Sequence, residues 1–135
     1  MPRLSVWIVR TALLHLGTGV TLGMLMLWNK GIVIDPLLWL LLGTHLEVLI
    51  FGWLIQLALG VAFWIIPRYT QEPRYGNIRR GWIGFVLFNL GIFLVILSAW
   101  VTGAEVLKPI GRLVEMGGII TFMTVLWPRV KPFGV

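Results

Sequence analysis

The chain has 135 residues, 59% of them hydrophobic and only 12% charged, with a mean hydropathy of +0.94. Soluble domains carry about 25% charged residues, so the composition excludes a soluble globular domain and identifies an integral membrane protein. Cysteine is absent, which excludes disulfides, thiolate metal sites and covalently attached c-type haem. The net charge of +6 would point to nucleic acid in a soluble protein. In a membrane chain, basic loops account for it, and no nucleic-acid partner is expected.

Four apolar runs each meet the ~20 residues that a spanning helix needs. The first covers residues 7–28. Arg10 and His15 interrupt it and no small-residue cleavage site follows, so it reads as a retained span rather than a signal peptide. His15 shares a helical stripe with Thr11, Gly19, Leu22 and Met26, and Gly19 and Gly23 form a GxxxG packing signal. Met24 and Met26 read as packing residues. The second run covers residues 36–66 and is closed by Pro67, which cannot continue a helix. The third covers 82–102. The fourth covers 109–127 and is closed by Pro128. Pro36 and Pro109 suit a first helical turn, where a missing N–H costs nothing. Trp7, Trp28, Trp39, Trp64, Trp82, Trp100 and Trp127 fall near span ends, as interfacial anchors do. Short connections make consecutive spans antiparallel. The expected fold is all-α, a four-transmembrane-helix antiparallel bundle forming one membrane domain over residues 1–135, in contact with the lipid bilayer.

Basic residues set the expected orientation. Arg3, Arg10, Arg68, Arg74, Arg79, Arg80, Arg129 and Lys131 fall on one side, and Lys30, Lys108 and Arg112 on the other. The positive-inside rule then places both termini in the cytoplasm. A multi-pass protein of a prokaryotic cytoplasmic membrane is the expected setting. A weak internal echo links "LLHLG" in the first span to "LFNLG" in the third, with Asn89 in place of His15.

Ionisable residues inside spans are expensive, about 2.5–3.5 kcal/mol each on insertion scales. His45 lies on a stripe with Leu49, Gly52, Gln56, Gly60 and Phe63. Small residues there admit a neighbouring backbone or a flat ligand. Glu47 lies about 200° from His45, on nearly the opposite face, so the two do not form a local couple. Two polar faces on one span predict protein contact on both, which favours a homo-oligomer or a larger complex. Glu47 sits near the level of Lys108, Arg112 and Glu115, so an ion pair with Arg112 or Lys108 is expected. His15 and His45 lie ~12 and ~13.5 Å from opposite ends of their spans, within ~5 Å of the same depth in a core ~30 Å thick. One haem could join them only if the helices splay, since directly packed helices sit about 8–10 Å apart. Otherwise a second chain supplies one ligand.

The stretch "HLEVLIFGWLIQLALGVAFWIIPRY" resembles the second transmembrane helix of the catalytic subunit of haem–copper oxidases, particularly the nitric oxide reductase-like branch. His45, Gly52, Gly60, Phe63, Trp64 and Pro67 match that family's pattern. The resemblance implies His45 as an axial ligand of a b-type haem, His15 as a substitute second ligand, and Lys108 and Arg112 as partners for haem propionates. Only the second span is specific. The family's later histidines have no counterpart, because this chain has two histidines in all, too few for an oxygen-reducing binuclear centre. The expected function is that of a small membrane b-type haem protein serving electron transfer or haem or gas binding, not a complete oxidase. The alternative is a haem-free accessory subunit packed within a larger respiratory or photosynthetic membrane complex.

Overall fold

The computed structural model describes residues 1–130; Lys131, counted above among the basic residues, lies outside them. Four long helices account for most of the described residues, and none of these residues is in a strand. Helix α1 is Arg3–Gly31. Helix α2 is Pro36–Ile65. Helix α3 is Ile78–Trp100. Helix α4 is Leu107–Leu126 and runs on through a 3₁₀ turn, Trp127–Arg129. All four are long and apolar enough to cross a membrane.

The helix ends follow local chemistry. α1 starts directly after Pro2, which holds extended backbone geometry at the N-cap. At its far end, buried Asn29 accepts the backbone N–H groups of Ile34 and Asp35, at 2.8 and 2.9 Å, and so closes the turn into α2. Asp35 then caps α2 by accepting from the Leu37 N–H, and Pro36 fills the first position. α3 begins four residues earlier than its apolar run, because Asn77 caps it by accepting from the Arg80 N–H. Pro109 falls inside the first turn of α4, where its missing N–H breaks no helical bond.

Helix α2 is not uniform. It enters as a 3₁₀ turn, Pro36–Leu40, continues as α-helix over Leu41–Glu47, widens to π-helix over Val48–Ile55, and returns to α-helix over Gln56–Ile65. A π stretch of this length is rare, and such stretches concentrate at functional sites. Here it follows immediately after Glu47 and contains Phe51 and Gly52.

Two glycine seams organise the packing. Across the α3–α4 seam, backbone meets backbone. A Cβ at Gly91 would stand 2.7 Å from the Gly111 carbonyl oxygen, and one at Gly118 would stand 2.9 Å from that of Gly84. The α1–α2 seam is instead filled by side chains. A Cβ at Gly52 would meet the His15 ring at 2.6 Å, one at Gly23 the His45 ring at 2.8 Å, and one at Gly60 the Ile8 side chain at 2.8 Å. The expected stripe of α2 therefore exists, and α1 occupies it.

The end where α1 begins and α4 finishes is packed at its centre, and a cavity of about 490 Å³ opens beside it against Met1, Trp64, Pro67, Arg68 and Tyr75. Leu4, Ile8, Phe63, Phe122, Val125 and Leu126 form one buried cluster, with Phe63 edge-on to Phe122 at 6.5 Å. At the opposite end a cavity of about 470 Å³ opens between α2, α3 and α4. There the Trp100 indole N–H donates to Thr44 Oγ1 at 3.0 Å, tying the end of α3 to the start of α2.

Candidate functional site

The residues singled out from the sequence divide into two groups on opposite faces of α2. His45, His15, Gly52 and Gly60 lie in the α1–α2 seam. Arg112 and Lys108 lie beyond the other face, beside Glu47.

In the seam, His45 Nδ1 stands 2.8 Å from the Gly19 carbonyl oxygen. A carbonyl only accepts, so Nδ1 carries the ring proton and donates it. Nε2 is left with its lone pair and no hydrogen-bond partner. This is the state in which histidines bind metals: one ring nitrogen held by a carbonyl, the other free. His15 stacks its ring on Gly52, and its Nδ1 is buried without a partner. Further along the seam, the Ser5 hydroxyl donates to the Gly60 carbonyl and the Gln56 amide to the Ile8 carbonyl at 3.4 Å.

This seam tests the expectation of one haem between two histidines. Side chains and glycines of α1 and α2 touch along its length, and the His15 ring fills the space over Gly52. A porphyrin does not fit between these two helices. Of the two histidines, His45 through Nε2 is the one whose chemistry suits a haem ligand. Gly52 and Gly60 act here as packing glycines, because a side chain of α1 covers each.

Across α2, the expected ion pair of Glu47 is present and larger than expected. Arg112 donates from Nη1 and Nη2 to the two oxygens of Glu47, at 3.0 and 2.6 Å, and from Nη1 to Glu115 Oε2 at 2.7 Å. Glu47 and Glu115 are 3% and 2% exposed. The guanidinium also lies 4.3 Å above the Phe51 ring, a cation–π contact supplied by the π-helical stretch. Glu47, Phe51, Lys108 and Arg112 line the 470 Å³ cavity together with Thr44, Ser98 and Glu105. Arg112 is committed to carboxylates on the far side of α2 from His45, and Lys108 is exposed beside it. The structure therefore does not bring these two basic residues together with the histidines.

Both polar faces of α2 are met within one chain, by α1 on one side and by α4 on the other. Intrachain packing supplies both contacts, so the two polar faces do not by themselves call for an oligomer.

Sequence reasoning missed a buried arginine. Arg129 is 1% exposed. It donates from Nε to the Pro67 carbonyl and from Nη2 to the carbonyls of Phe63 and Ile66, at 3.1, 3.0 and 2.6 Å. These are acceptors at and just past the end of α2, left free when Pro67 stops the helix. The signal available in the sequence was Pro67 itself, which guarantees unsatisfied acceptors at that end. No family model, no curated protein and no solved structure matches this chain.

Proposed function

We propose that the chain is a small membrane haem b protein with His45 as its only protein ligand to the iron, held with both termini on the cytoplasmic side. The observation that carries this reading is the state of His45, whose proton is held on Nδ1 by the Gly19 carbonyl while Nε2 stays free. The resemblance of the stretch around His45 to a haem-ligating helix supports it. Bound haem would supply a one-electron iron couple, or an open iron position for a gas.

The chain's own residues do the rest. The Gly19 carbonyl fixes the imidazole tautomer and raises the basicity of Nε2. Gly23 leaves room for the His45 ring against α1. Because the seam interior is filled, a porphyrin would meet the chain at the flank of the seam, and a sixth ligand would come from a second chain or from a gas. The proposed orientation rests on Arg3, Arg10, Arg68, Arg74, Arg79 and Arg80 against Lys30 and Lys108. Arg112 and Arg129 are left out of that tally because both are spent on internal partners.

A reduced-minus-oxidised visible spectrum of the purified protein in lipid nanodiscs tests the reading. A b-type α-band is expected in wild type and in His15→Ala, and its loss in His45→Ala. Protein expressed with ample haem and purified without any would overturn the proposal and leave the accessory-subunit reading in its place.

A further inference from the structure

The charges around Arg112 do not balance. Both oxygens of Glu47 are taken by the guanidinium, but Glu115 receives a single bond, through Oε2. Its other oxygen, Oε1, is buried and has no hydrogen-bond partner. Two buried carboxylates thus face one cation. An ionised oxygen left buried and unpaired costs several kcal/mol. No neighbour removes the deficit. From α3, Gly91 packs on Glu115 and Val95, Ser98 and Ala99 line the adjoining cavity; none of them titrates. From α4 and the loop before it, Lys108 and Glu105 line the cavity, and among the described residues neither forms an ion pair with the cluster.

We propose that Glu115 Oε1 is the binding site for one singly charged cation, a proton or an alkali ion, that reaches it by way of the cavity. Glu47 and Arg112 both line that cavity and touch each other, and Arg112 bonds directly to Glu115. Arg112 is 38% exposed through its side chain, so the cluster stands one residue from open space. A divalent ion would call for six to eight oxygens. The cluster carries one negative charge in excess, so one positive charge balances it, and no group of three metal-ligating side chains forms among the described residues. If the ion is a proton, hydronium in the cavity gives it up, an O–H bond forms on Glu115, and water remains. If it is an alkali ion, the carboxylate oxygen replaces part of its hydration shell. Either event takes the cluster from one net negative charge to neutrality. The inference does not depend on haem, since His45 faces the other side of α2.

Infrared difference spectroscopy in nanodiscs of zwitterionic lipid tests it, first stepping pH at fixed salt and then titrating sodium or potassium at fixed pH. A carboxylic C=O stretch that shifts in D₂O and is absent in Glu115→Gln identifies the proton. A saturable, sodium- or potassium-dependent change in a carboxylate stretch, abolished in Glu115→Gln, identifies the alkali ion. The neutral glutamine should keep the wild-type melting temperature while losing its dependence on the ion. Either signal persisting undiminished in Glu115→Gln overturns the proposal. The wild-type spectra decide the matter even if the variant does not fold: two ionised carboxylates, indifferent to sodium, potassium and pH through the neutral range, also overturn it.

Discussion

Arg112 and Arg129 stand near opposite ends of the same helix, and their charges are accommodated in opposite ways. Arg129 is buried among neutral partners. Three carbonyls at and just past the end of α2 accept from Nε and Nη2, Nη1 is left buried without a partner, and the rings of Phe63 and Tyr75 lie 5.0 and 5.5 Å from the guanidinium carbon. Arg112 meets two carboxylates and is itself part-exposed to a cavity. The first arrangement completes a helix end with neutral acceptors. The second gathers charge, leaves a carboxylate oxygen rather than an N–H group without a partner, and lines a cavity. The difference is one of charge: one end ties an arginine to neutral carbonyls, while the other sets two carboxylates against one guanidinium.

Substitutions can break or sharpen that contrast. Arg112→Met should have the largest effect, because it strands two buried carboxylates. Removing one partner of a buried pair costs 3–5 kcal/mol, and the exposure of Arg112 places the expected loss near the low end, about 3 kcal/mol. Arg129→Met strands neutral carbonyls only, so about 2 kcal/mol is expected, within the range for hydrogen bonds to a charged group. Reversible unfolding in mixed micelles, followed by circular dichroism, measures both. If Arg129→Met proved the more damaging, the division between a neutral and a charged end would fail.

Gly91→Ala comes next. Its Cβ would enter a backbone contact, 2.7 Å from both the Gly111 oxygen and the Glu115 nitrogen. Overpacking of this kind costs about 1–3 kcal/mol. Since the displaced residue is Glu115, the infrared signature of the cluster should change together with stability. A stable Gly91→Ala variant with an unaltered spectrum would show that the α3–α4 seam does not position the cluster. The smallest effect is expected from Trp100→Phe, which removes the bond to Thr44 at the cavity end. Interhelical hydrogen bonds in membranes average about 0.6 kcal/mol, so the same unfolding assay should register a shift of that order and no change in helix content.

Much of the architecture was legible in the residue order. The four spans follow from hydropathy, and Pro36, Pro67 and the asparagine and aspartate caps mark where helices start or stop. Helical spacing separated His45 from Glu47 onto different faces, and α1 and α4 occupy those two faces. Depth along the spans brought Glu47 level with Arg112, and the pair forms. Spacing was blind to the rest. It set His45, Gly52 and Gly60 in one row without saying that His15 and Ile8 would fill that row. It counted Arg129 among charges facing the cytoplasm, whereas a flexible arginine stem carries the guanidinium back to the carbonyls that Pro67 orphans.

The sequence by itself determined that this protein lives in a bilayer, because its apolar runs cannot remain in water and are long enough to cross lipid. It also determined how many spans there are and which residues share a face, because helical periodicity is a local property. Only the tertiary structure decided what each face meets. The α1–α2 seam closed around two histidines, leaving His45 Nε2 free, and α4 brought Glu115 as a second carboxylate to Arg112. Those outcomes depend on which helix packs against which and at what height. Such long-range choices follow from how side chains and glycines interlock between helices, a property that no single stretch of the chain contains.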